Sequence, residues 1–482
     1  MARLAGALAL TALLAGCVRG HAGALGSVTA TISEEVPTVV TVSWDGSIAA
    51  GDTFVEYGLD SALDLVTPTG TGASATLLGL KAGRTYSFRG VTVTADGERL
   101  ESATSSVDLA PPPEGLPAFG ITEYDPSQAA EGGFLLTSVL MAGDSYAAII
   151  DRDGDYVWYL PSTDELGISS THLSYDGHGV VFAQNDRDQA TALGSIVSAS
   201  LDGTHYQLTA ASLSHHDVVE LPGGDLAYIG LDTREDIPFE EGGTATVTSD
   251  TIGESPAGAT SDDQARIVYA ILDDYPHTLW DICRHSEVEA YDTGGVDWSH
   301  SNSLMYYEPD DAFLLVSKNL DAIIKVDRAS GQQVWQLGGR YSDFTDVDGD
   351  TLPDGDWANV DGPNSTWWSH GHMSDWWDGG FVMFDNGYHH DPAQSRAVEY
   401  SYDEAAHTVK KVWEYWAPDL YFNPLLGDVR KMPNGNYMVS WANQGMLTEI
   451  TPAQEVVWRA SATLGAGTSR VHYIPDIYDP LK

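Results

Sequence analysis

"HMSDWWDGGFVMFDNG", residues 372–387, is the stretch that decides the fold. Its two halves carry strand-forming residues on either side of the turn Asp378-Gly379-Gly380, which is the pattern of a β-hairpin. Each hairpin of this kind is followed by two further strand segments that end near a tryptophan, as in "DAIIKVDRASGQQVWQLGG" (321–339). Similar hairpins recur at 172–184, 217–232, 302–319 and 429–443. Four strands per unit, repeated five or six times with almost no helical periodicity, predict an all-β chain built from β-propeller blades.

The first quarter of the chain has a different organisation. Residues 27–109 form short alternating runs between Gly, Asp and Pro turns, which is typical of a small β-sandwich. The segment "LLGLKAGRTYSFR" (77–89) resembles the tyrosine-corner region of fibronectin type III modules, with Tyr86 in the matching place. "APPPEGLPA" (110–118) has the proline content of a stiff linker. We therefore predict a fibronectin III-like sandwich over 27–109, a linker over 110–118 and a propeller over 119–482.

The N-terminus has the features of an export signal. An apolar run too short to span a bilayer follows Arg3 and ends in Leu14-Ala15-Gly16-Cys17. That ending resembles the lipobox of bacterial lipoproteins, which implies cleavage after residue 16, a lipid anchor on Cys17, and a location in the periplasm or at the outer membrane. An ordinary signal peptide with an incidental cysteine is the alternative. Cys283 is the only other cysteine, so no intramolecular disulfide is expected in the mature chain.

The charge balance excludes one class of partner. The chain has 23 Lys and Arg against 70 Asp and Glu, a formal net charge of −47. Such a surface repels phosphate backbones and anionic lipid head groups, so nucleic acid is not expected as a partner.

Three histidines occupy similar places in successive repeats. His216, His300 and His372 each come at the start of the first strand of a hairpin. Because equivalent positions of successive blades face the central axis of a propeller, these imidazoles are expected to converge. Asn302 and Lys318 belong to the hairpin of His300 and are expected to point the same way.

These residues carry a resemblance to a known family. "DWSHSNSLMYYEPDDAFLLVSKNLDAIIKVD" (297–327), "WWSHGHMSDWWDGGFVMFDNG" (367–387), "SRAVEYSYDEAAHTVKKVWEY" (395–415) and "RKMPNGNYMVSW" (430–441) resemble the bacterial arylsulfate sulfotransferases. The resemblance implies a secreted, six-bladed β-propeller that moves a sulfuryl group from a phenolic sulfate donor to a phenol acceptor, without a nucleotide sulfate or other catalytic cofactor.

The resemblance also implies roles for single residues. His372 matches the nucleophile that forms a transient sulfohistidine, His300 and Asn302 match the pair that grips the sulfuryl oxygens, and His216 matches an additional histidine. Lys318 stands where the family has an arginine. It keeps the cation but lacks the two-pronged guanidinium, so weaker orientation of the sulfate is expected.

Two alternatives remain open from the residues alone. His370 and His372 face the same side of a strand, as a metal pair would, so a metal-dependent hydrolase using the histidine cluster is one of them. His370 is otherwise expected to contribute to substrate binding. A propeller that binds a ligand at the cell surface without chemistry is the second alternative. Trp367, Trp368, Trp376 and Trp377 either fill the blades or stack on aromatic substrates, whereas surface positions are expected for His215, His389 and His390.

An acidic loop lies outside the histidine-bearing hairpins. "DVDGDTLPDGD" (346–356) places Asp346, Asp348, Asp350 and Asp354 with a spacing that resembles EF-type calcium loops, although its twelfth position is Trp357 instead of glutamate. The loop is interpreted either as a structural calcium site or as a solvated acidic turn. The shorter "DRDGDY" (151–156) is expected to be only a turn between strands.

Overall fold

The computed structural model of the chain describes residues 23–45, 51–141, 145–163, 166–186, 194–275, 278–279, 295–347, 368–463 and 465–481. In these residues nearly all regular structure is β-strand. The chain divides into two compact units: the first contains most of the residues up to Pro111, and the second contains the residues from Pro112 onward together with Glu34–Val36. The all-β class predicted from the alternating runs is confirmed.

The first unit is a small sandwich of two sheets. Its strands are β1 (Gly23–Ala24), β2 (Val28–Ile32), β3 (Val40–Trp44), β4 (Gly51–Leu59), β5 (Leu65–Val66), β6 (Ser74–Leu77), β7 (Thr85–Thr94), β8 (Arg99–Glu101) and β9 (Ser105–Asp108). One sheet has the strand order β1-β8-β7-β4-β5, with β9 also paired with β7, and the other sheet has the order β2-β3-β6. Trp44, Tyr57 and Phe88 pack into one core. The Tyr86 hydroxyl accepts the backbone N–H of Lys81 at 2.9 Å, which fixes the turn before β7.

The second unit contains six blades of four or five strands. Its strands are β10 (Phe119–Tyr124), β11 (Phe134–Leu140), β12 (Ser145–Asp151), β13 (Tyr156–Pro161), β14 (Gly167–Leu173), β15 (Gly179–Asn185), β16 (Gly194–Ser200), β17 (Tyr206–Ala210), β18 (His215–Glu220), β19 (Leu226–Pro238), β20 (Thr244–Ser255), β21 (Arg266–Ala270), β22 (Val296–Asp297), β23 (Ser301–Tyr307), β24 (Ala312–Ser317), β25 (Ala322–Asp327), β26 (Gln332–Gly338), β27 (Thr345–Asp346), β28 (Gly371–Trp377), β29 (Gly380–Asp385), β30 (Arg396–Asp403), β31 (Thr408–Trp416), β32 (Asp428–Lys431), β33 (Tyr437–Trp441), β34 (Met446–Ile450), β35 (Val456–Ala462) and β36 (Gly467–Ile474).

Blades 1 to 6 are, from the innermost strand outward, β36-β11-β12-β13, β14-β15-β16-β17, β18-β19-β20-β21, β23-β24-β25-β26, β28-β29-β30-β31 and β32-β33-β34-β35-β10. Strands β22 and β27 add short parallel pairs to blades 3 and 5. The innermost strands touch one another in turn, from β36 through β14, β18, β23, β28 and β32 back to β36. This closed ring is the six-bladed propeller that the repeats and the family resemblance predicted.

Both ends of the second unit serve to close the ring. Strand β36, from the end of the chain, is the innermost strand of blade 1, and β10, from the start of the unit, is the outermost strand of blade 6. Each end therefore pairs with a strand more than 300 residues away in sequence. Closure leaves only short, protected sheet edges around the axis, which is why propellers tolerate sheets as small as four strands.

Helical structure is limited to single turns among the described residues. They are α1 (Ile271–Asp274) and the 3₁₀ turns Asp262–Gln264, Glu308–Asp310, Pro418–Leu420 and Ala442–Gln444. Within the described part of the chain, no helix has the length and apolar character needed to cross a membrane.

Tryptophans fill the spaces between blades. Trp368 and Trp376 lie in the core that joins blades 4 and 5, where Trp376 stacks on Phe381 with ring centroids 4.2 Å apart. Trp368 is 4 % exposed and Trp376 is 5 % exposed. Their interpretation as blade filler is confirmed, while Trp367 lies outside the described residues.

One buried carboxylate connects four blades at the axis. Asp217 of β18 contacts His172 Nε2 of β14 at 2.7 Å and the backbone N–H of Leu304 in β23 at 2.7 Å, and it pairs with Arg470 of β36. Burial alone would raise the pKa of Asp217, but Arg470, His172 and the Leu304 N–H outweigh burial and hold the pKa at about 2.

The ion pair and hydrogen bonds of Asp217 predict how the stability of the fold depends on pH. A carboxylate with a lowered native pKa stabilises the fold above its unfolded pKa, and the stabilisation disappears as the pH falls through the native pKa. A pKa of about 2 against an ordinary 3.8 corresponds to about 2 kcal/mol. We expect the difference in free energy of unfolding between the wild type and Asp217→Asn, measured by urea titration, to narrow by that amount between about pH 5 and pH 2. The exposed control Asp263→Asn should show no such narrowing.

Candidate active site

The structure brings His216, His300 and His372 together at the propeller axis, and we call these three residues the axial histidine cluster. The ring centroids of His216 and His300 lie 4.9 Å apart, and those of His216 and His372 lie 6.1 Å apart. The three rings come from the innermost strands of blades 3, 4 and 5, near the start of each strand. His372 is only 3 % exposed, whereas His216 and His300 are partly exposed and can meet solvent or a ligand.

A shared backbone irregularity sets up this end of the blades. His216, His300 and His370 have positive φ angles of 54°, 46° and 55°. The hairpin register shifts beside this position in all three blades: the shift between His215 and Val218 spans His216, while those between Ser301 and Ser303 and between Gly371 and Ser374 come just after His300 and His370. By backbone angle, His370 is the residue that matches His216 and His300. His372 lies two residues further, at the position of Asn302, so its expected equivalence with His216 and His300 does not extend to backbone conformation.

The structure defines the protonation of His372. Its Nδ1 lies 3.3 Å from the carbonyl oxygen of Gly427. Because a carbonyl can only accept, Nδ1 carries the proton and Nε2 keeps its lone pair. Burial lowers the pKa of His372 well below 6.5, and the charges of Arg470, His300 and Lys318 lower it further. His372 is therefore a neutral imidazole at neutral pH.

The other two axial histidines are also oriented by partners. His300 Nδ1 contacts the Asp297 carboxylate, which can only accept when ionised, so that nitrogen carries a proton. His216 Nδ1 lies 2.8 Å from Nδ1 of its neighbour His215. Burial, followed by the nearby His300, lowers the pKa of His216 well below its usual value. The Nδ1 atom of each axial histidine is thus engaged by a neighbouring group.

Asn302 and Lys318 lie in the same hairpin as His300. Asn302 is fully buried, and among the described residues neither of its side-chain polar atoms has a hydrogen-bond partner. Lys318 is 2 % exposed and lies directly after β24, with its backbone N–H 3.1 Å from the His300 carbonyl. Its ammonium lies 5.8 Å from the ring centroid of Tyr388, and its charge lowers the pKa of both His216 and His372.

His370 belongs to a separate pair. Its Nε2 lies 3.2 Å from Nε2 of His389, and its ring meets the edge of Tyr388 at 5.0 Å. It is therefore not paired with His372 around a common metal position. His215, His389 and His390 are 1 %, 5 % and 8 % exposed, so the expectation that they lie on the surface is wrong.

The sequence model of the family described as Arylsulfotransferase (ASST) matches residues 122–469, which span all six blades. The chain belongs to the arylsulfotransferase family. Membership supports sulfuryl transfer as the general chemistry and a sulfotransferase as the kind of enzyme, and the family implies a phenolic sulfate donor and a phenol acceptor.

Other comparisons add little to this family assignment. No curated protein matches the chain. Among solved structures, a protein of unknown function from Bacteroides caccae is 12 % identical with a TM-score of 0.38, covering 70 % of this chain and 99 % of its own. An auxiliary nutrient binding protein from Bacteroides ovatus is 8 % identical with a TM-score of 0.36, covering 92 % and 86 %. A streptogramin B lyase is 12 % identical with a TM-score of 0.36, covering 75 % and 100 %. Similarities this low support no functional conclusion.

A set of side chains with the spacing of metal ligands lies away from the axial histidine cluster. Among the described residues, the one set of His, Cys, Asp or Glu ligand atoms within 4.8 Å of one another is Asp151, Asp153 and Asp155, in the turn between β12 and β13. The "DRDGDY" segment is thus a strand turn, as expected. Of the proposed calcium loop only Asp346, in β27, is described, while Asp348, Asp350 and Asp354 lie outside the described residues.

Sequence reasoning missed several residues that support the axial cluster. Asp297 orients His300, Arg470 lies close enough to affect His372, and Asp250 lies 3.1 Å from His215 Nε2. The adjacent pair His215-His216 carried a usable signal, because neighbouring residues of a strand point to opposite faces. Arg470 and Asp250 carried none, since they reach the site from other strands.

The unpaired state of Asn302 predicts an unusual stability result. A buried polar group without a partner costs about 1–3 kcal/mol, so Asn302→Leu should leave thermal stability unchanged or raise it. Asn386 is equally buried, but its amide donates to Asn423 O at 2.6 Å and Leu426 O at 3.0 Å. Asn386→Leu should therefore lower the unfolding midpoint in the same calorimetric measurement. A large loss of stability in Asn302→Leu would mean that this side chain has a structural role.

Proposed function

We propose that this chain is an aryl sulfotransferase that moves a sulfuryl group from a phenolic sulfate ester to a phenol through a sulfohistidine at His372. The observation that supports this most directly is the meeting of three imidazoles from three blades within 4.9 and 6.1 Å, one of them buried and neutral. Family membership supports the same general chemistry.

His372 has the properties that a nucleophile needs. The attacking atom is Nε2, because Nδ1 is held by Gly427 O. As the Nε2–S bond forms, the bond from sulfur to the aryl oxygen breaks and the leaving group departs as a phenolate. The acceptor phenol then attacks the same sulfur and regenerates His372. Two steps through a covalent intermediate give ping-pong kinetics.

We expect the sulfate group of the donor to bind to polar side chains that surround His372. The Asn302 amide, the Lys318 ammonium and the Nε2–H group of His300, when that ring is protonated on both nitrogens, are the groups proposed to donate to the sulfuryl oxygens. Transfer spreads negative charge over those oxygens, so fixed donors and one cation stabilise the transition state without further movement. The unpaired amide of Asn302 supports this role, since a ligand oxygen would supply its missing partner.

An aromatic surface for the phenol ring lies next to Lys318. Tyr388 is held in place by the bond from its hydroxyl to Pro424 O at 2.8 Å and by edge contacts with His370 and Phe422 at 5.0 and 4.9 Å. Its partly exposed ring can pack against an aryl donor or acceptor.

Trapping the intermediate tests the proposal. On rapid mixing with p-nitrophenyl sulfate, we expect a burst of nitrophenol equal to the enzyme concentration and a gain of one SO₃ on the peptide that contains His372, detected by mass spectrometry under alkaline quench. His372→Ala should lose the burst and the modification, whereas the exposed control His205→Ala should retain both. Turnover without a modified His372 would contradict the sulfohistidine. Loss of turnover with a chelator would favour metal-dependent hydrolysis, and inactivity towards all aryl sulfates would favour a binding propeller.

Two substitutions at Lys318 test whether its ammonium binds the sulfate group of the donor. Lys318→Met keeps the length but removes the charge, so kcat/KM for the donor should fall by about 10²–10³, the usual effect of removing one transition-state donor. Lys318→Arg should alter donor turnover because its planar fork holds sulfate differently. The matched control is Lys325→Met, another buried lysine, whose ammonium is paired with Asp310 and Glu404. That variant should affect stability more than catalysis, and unchanged kinetics in both Lys318 variants would remove Lys318 from the site.

A further inference from the structure

We propose that the buried chain Asp250–His215–His216 is a proton relay that serves the phenol oxygens during sulfuryl transfer, with His215 and Asp250 as positioning residues. This inference rests on the proposed function. It concerns a part of the reaction that the nucleophile cannot perform: each cycle must supply a proton to the departing phenolate and remove one from the incoming phenol.

The relay is a line of three side chains joined by one hydrogen bond and one contact at ion-pair distance. His216 Nδ1 lies 2.8 Å from His215 Nδ1, and His215 Nε2 lies 3.1 Å from Asp250 Oδ1. His215 and Asp250 are 1 % and 0 % exposed, so bulk water does not compete along this line. His216 is the member that borders the axial cluster, and its Nε2 is the atom available to a substrate oxygen.

Asp250 is held as a fixed carboxylate. Its Oδ2 accepts the hydroxyl of Ser299 at 2.5 Å and the backbone N–H of Ser301 at 2.6 Å. Burial raises the pKa of Asp250, but contact with His215 and these two donors outweigh burial and lower it. Because Ser299 and Ser301 flank His300, this carboxylate also fixes the strand start that carries the second axial histidine.

The proton balance over one cycle is closed. In the donor step the aryl oxygen–sulfur bond breaks, His372 Nε2 bonds to sulfur, and the protonated relay gives the proton from His216 Nε2 to the leaving phenolate. In the acceptor step the incoming phenol gives its proton to His216 Nε2 as its oxygen bonds to sulfur and the Nε2–S bond breaks. The Nδ1 proton of His216 then moves to His215, whose imidazolium pairs with Asp250, so the positive charge is stored away from His300, His372 and Lys318.

The leaving group of the donor provides the decisive readout. General acid catalysis matters most for a basic leaving group such as the phenolate of phenyl sulfate, whose conjugate acid has a pKa of about 10, and matters little for the more acidic nitrophenol. His215→Gln keeps a hydrogen-bonding side chain but cannot pass on a proton. We expect it to slow the donor step with phenyl sulfate by about 10²–10⁴, the usual contribution of proton transfer, and to change the step with p-nitrophenyl sulfate far less.

The control for this experiment is Ser299→Ala, which removes one bond to Asp250 but leaves both histidines in place. It should change the rates with the two donors by the same factor. An equal change, or no change, for both donors in His215→Gln would overturn the relay.

The wild type gives a second test that needs no variant: a solvent deuterium isotope effect on the donor step is expected with phenyl sulfate and not with p-nitrophenyl sulfate. The absence of an effect with phenyl sulfate would also overturn it. If the wild type gives no nitrophenol burst at all, the proposed function itself fails, whereas a burst combined with a flat leaving-group dependence rejects the relay alone.

Discussion

Buried carboxylates that accept backbone N–H groups from the next blade are the constraint on which the axial site depends. Asp250 of blade 3 accepts the N–H of Ser301 in blade 4, Asp321 after β24 accepts the N–H of His370 at the start of blade 5, and Asp428 of blade 6 accepts the N–H of Val471 in blade 1. Sheets packed only through apolar side chains can slide slightly with little loss of energy, whereas a charged hydrogen bond has a narrow range of distance and angle. The carboxylates therefore fix each innermost strand relative to its neighbour, and with it the histidine that the strand carries.

The left-handed backbone conformation at the start of three innermost strands costs conformational free energy, and the proposed function gives a reason why it is kept. A non-glycine residue in this conformation is disfavoured by roughly 1–2 kcal/mol, and glycine would occupy it without strain. His216, His300 and His370 nevertheless stand there. A register shift lies beside each of them, and in blades 4 and 5 it brings Asn302 and His372 to corresponding places. Strain that persists at one structural position in three blades is best understood as the means by which side chains are aimed at a common point.

The fold could be predicted from local pattern, because each blade is a meander whose strands alternate and turn within a few tens of residues. The meeting of His216, His300 and His372 at the axis was also predicted from the repeats, although by backbone conformation His370, and not His372, matches the other two residues. The finer assignments failed where the decisive contact was not local. The positive φ that distinguishes His370 from His372 leaves no mark in residue type, and the burial of His389 and His390 depends on packing against other parts of the fold. Asp250 reaches His215 from a strand more than 30 residues away, which no spacing rule encodes.

The acidity of the whole chain and the anionic nature of a sulfate ester appear to conflict, and the local protonation of the site removes the conflict. Asp217, Asp250 and Asp385 have lowered pKa values, because basic or hydrogen-bonding partners outweigh burial, so their negative charges are already matched. Asp321 differs. Burial raises its pKa well above the usual value and nearby Asp385 raises it further, more than the His370 N–H and Lys318 lower it. A carboxyl group whose pKa is raised in this way offsets the positive charge of Lys318 less than the three carboxylates with lowered pKa values would. A net charge of −47 is thus compatible with anion binding, since in a buried site the charge of the nearest groups outweighs a distant surface screened by salt.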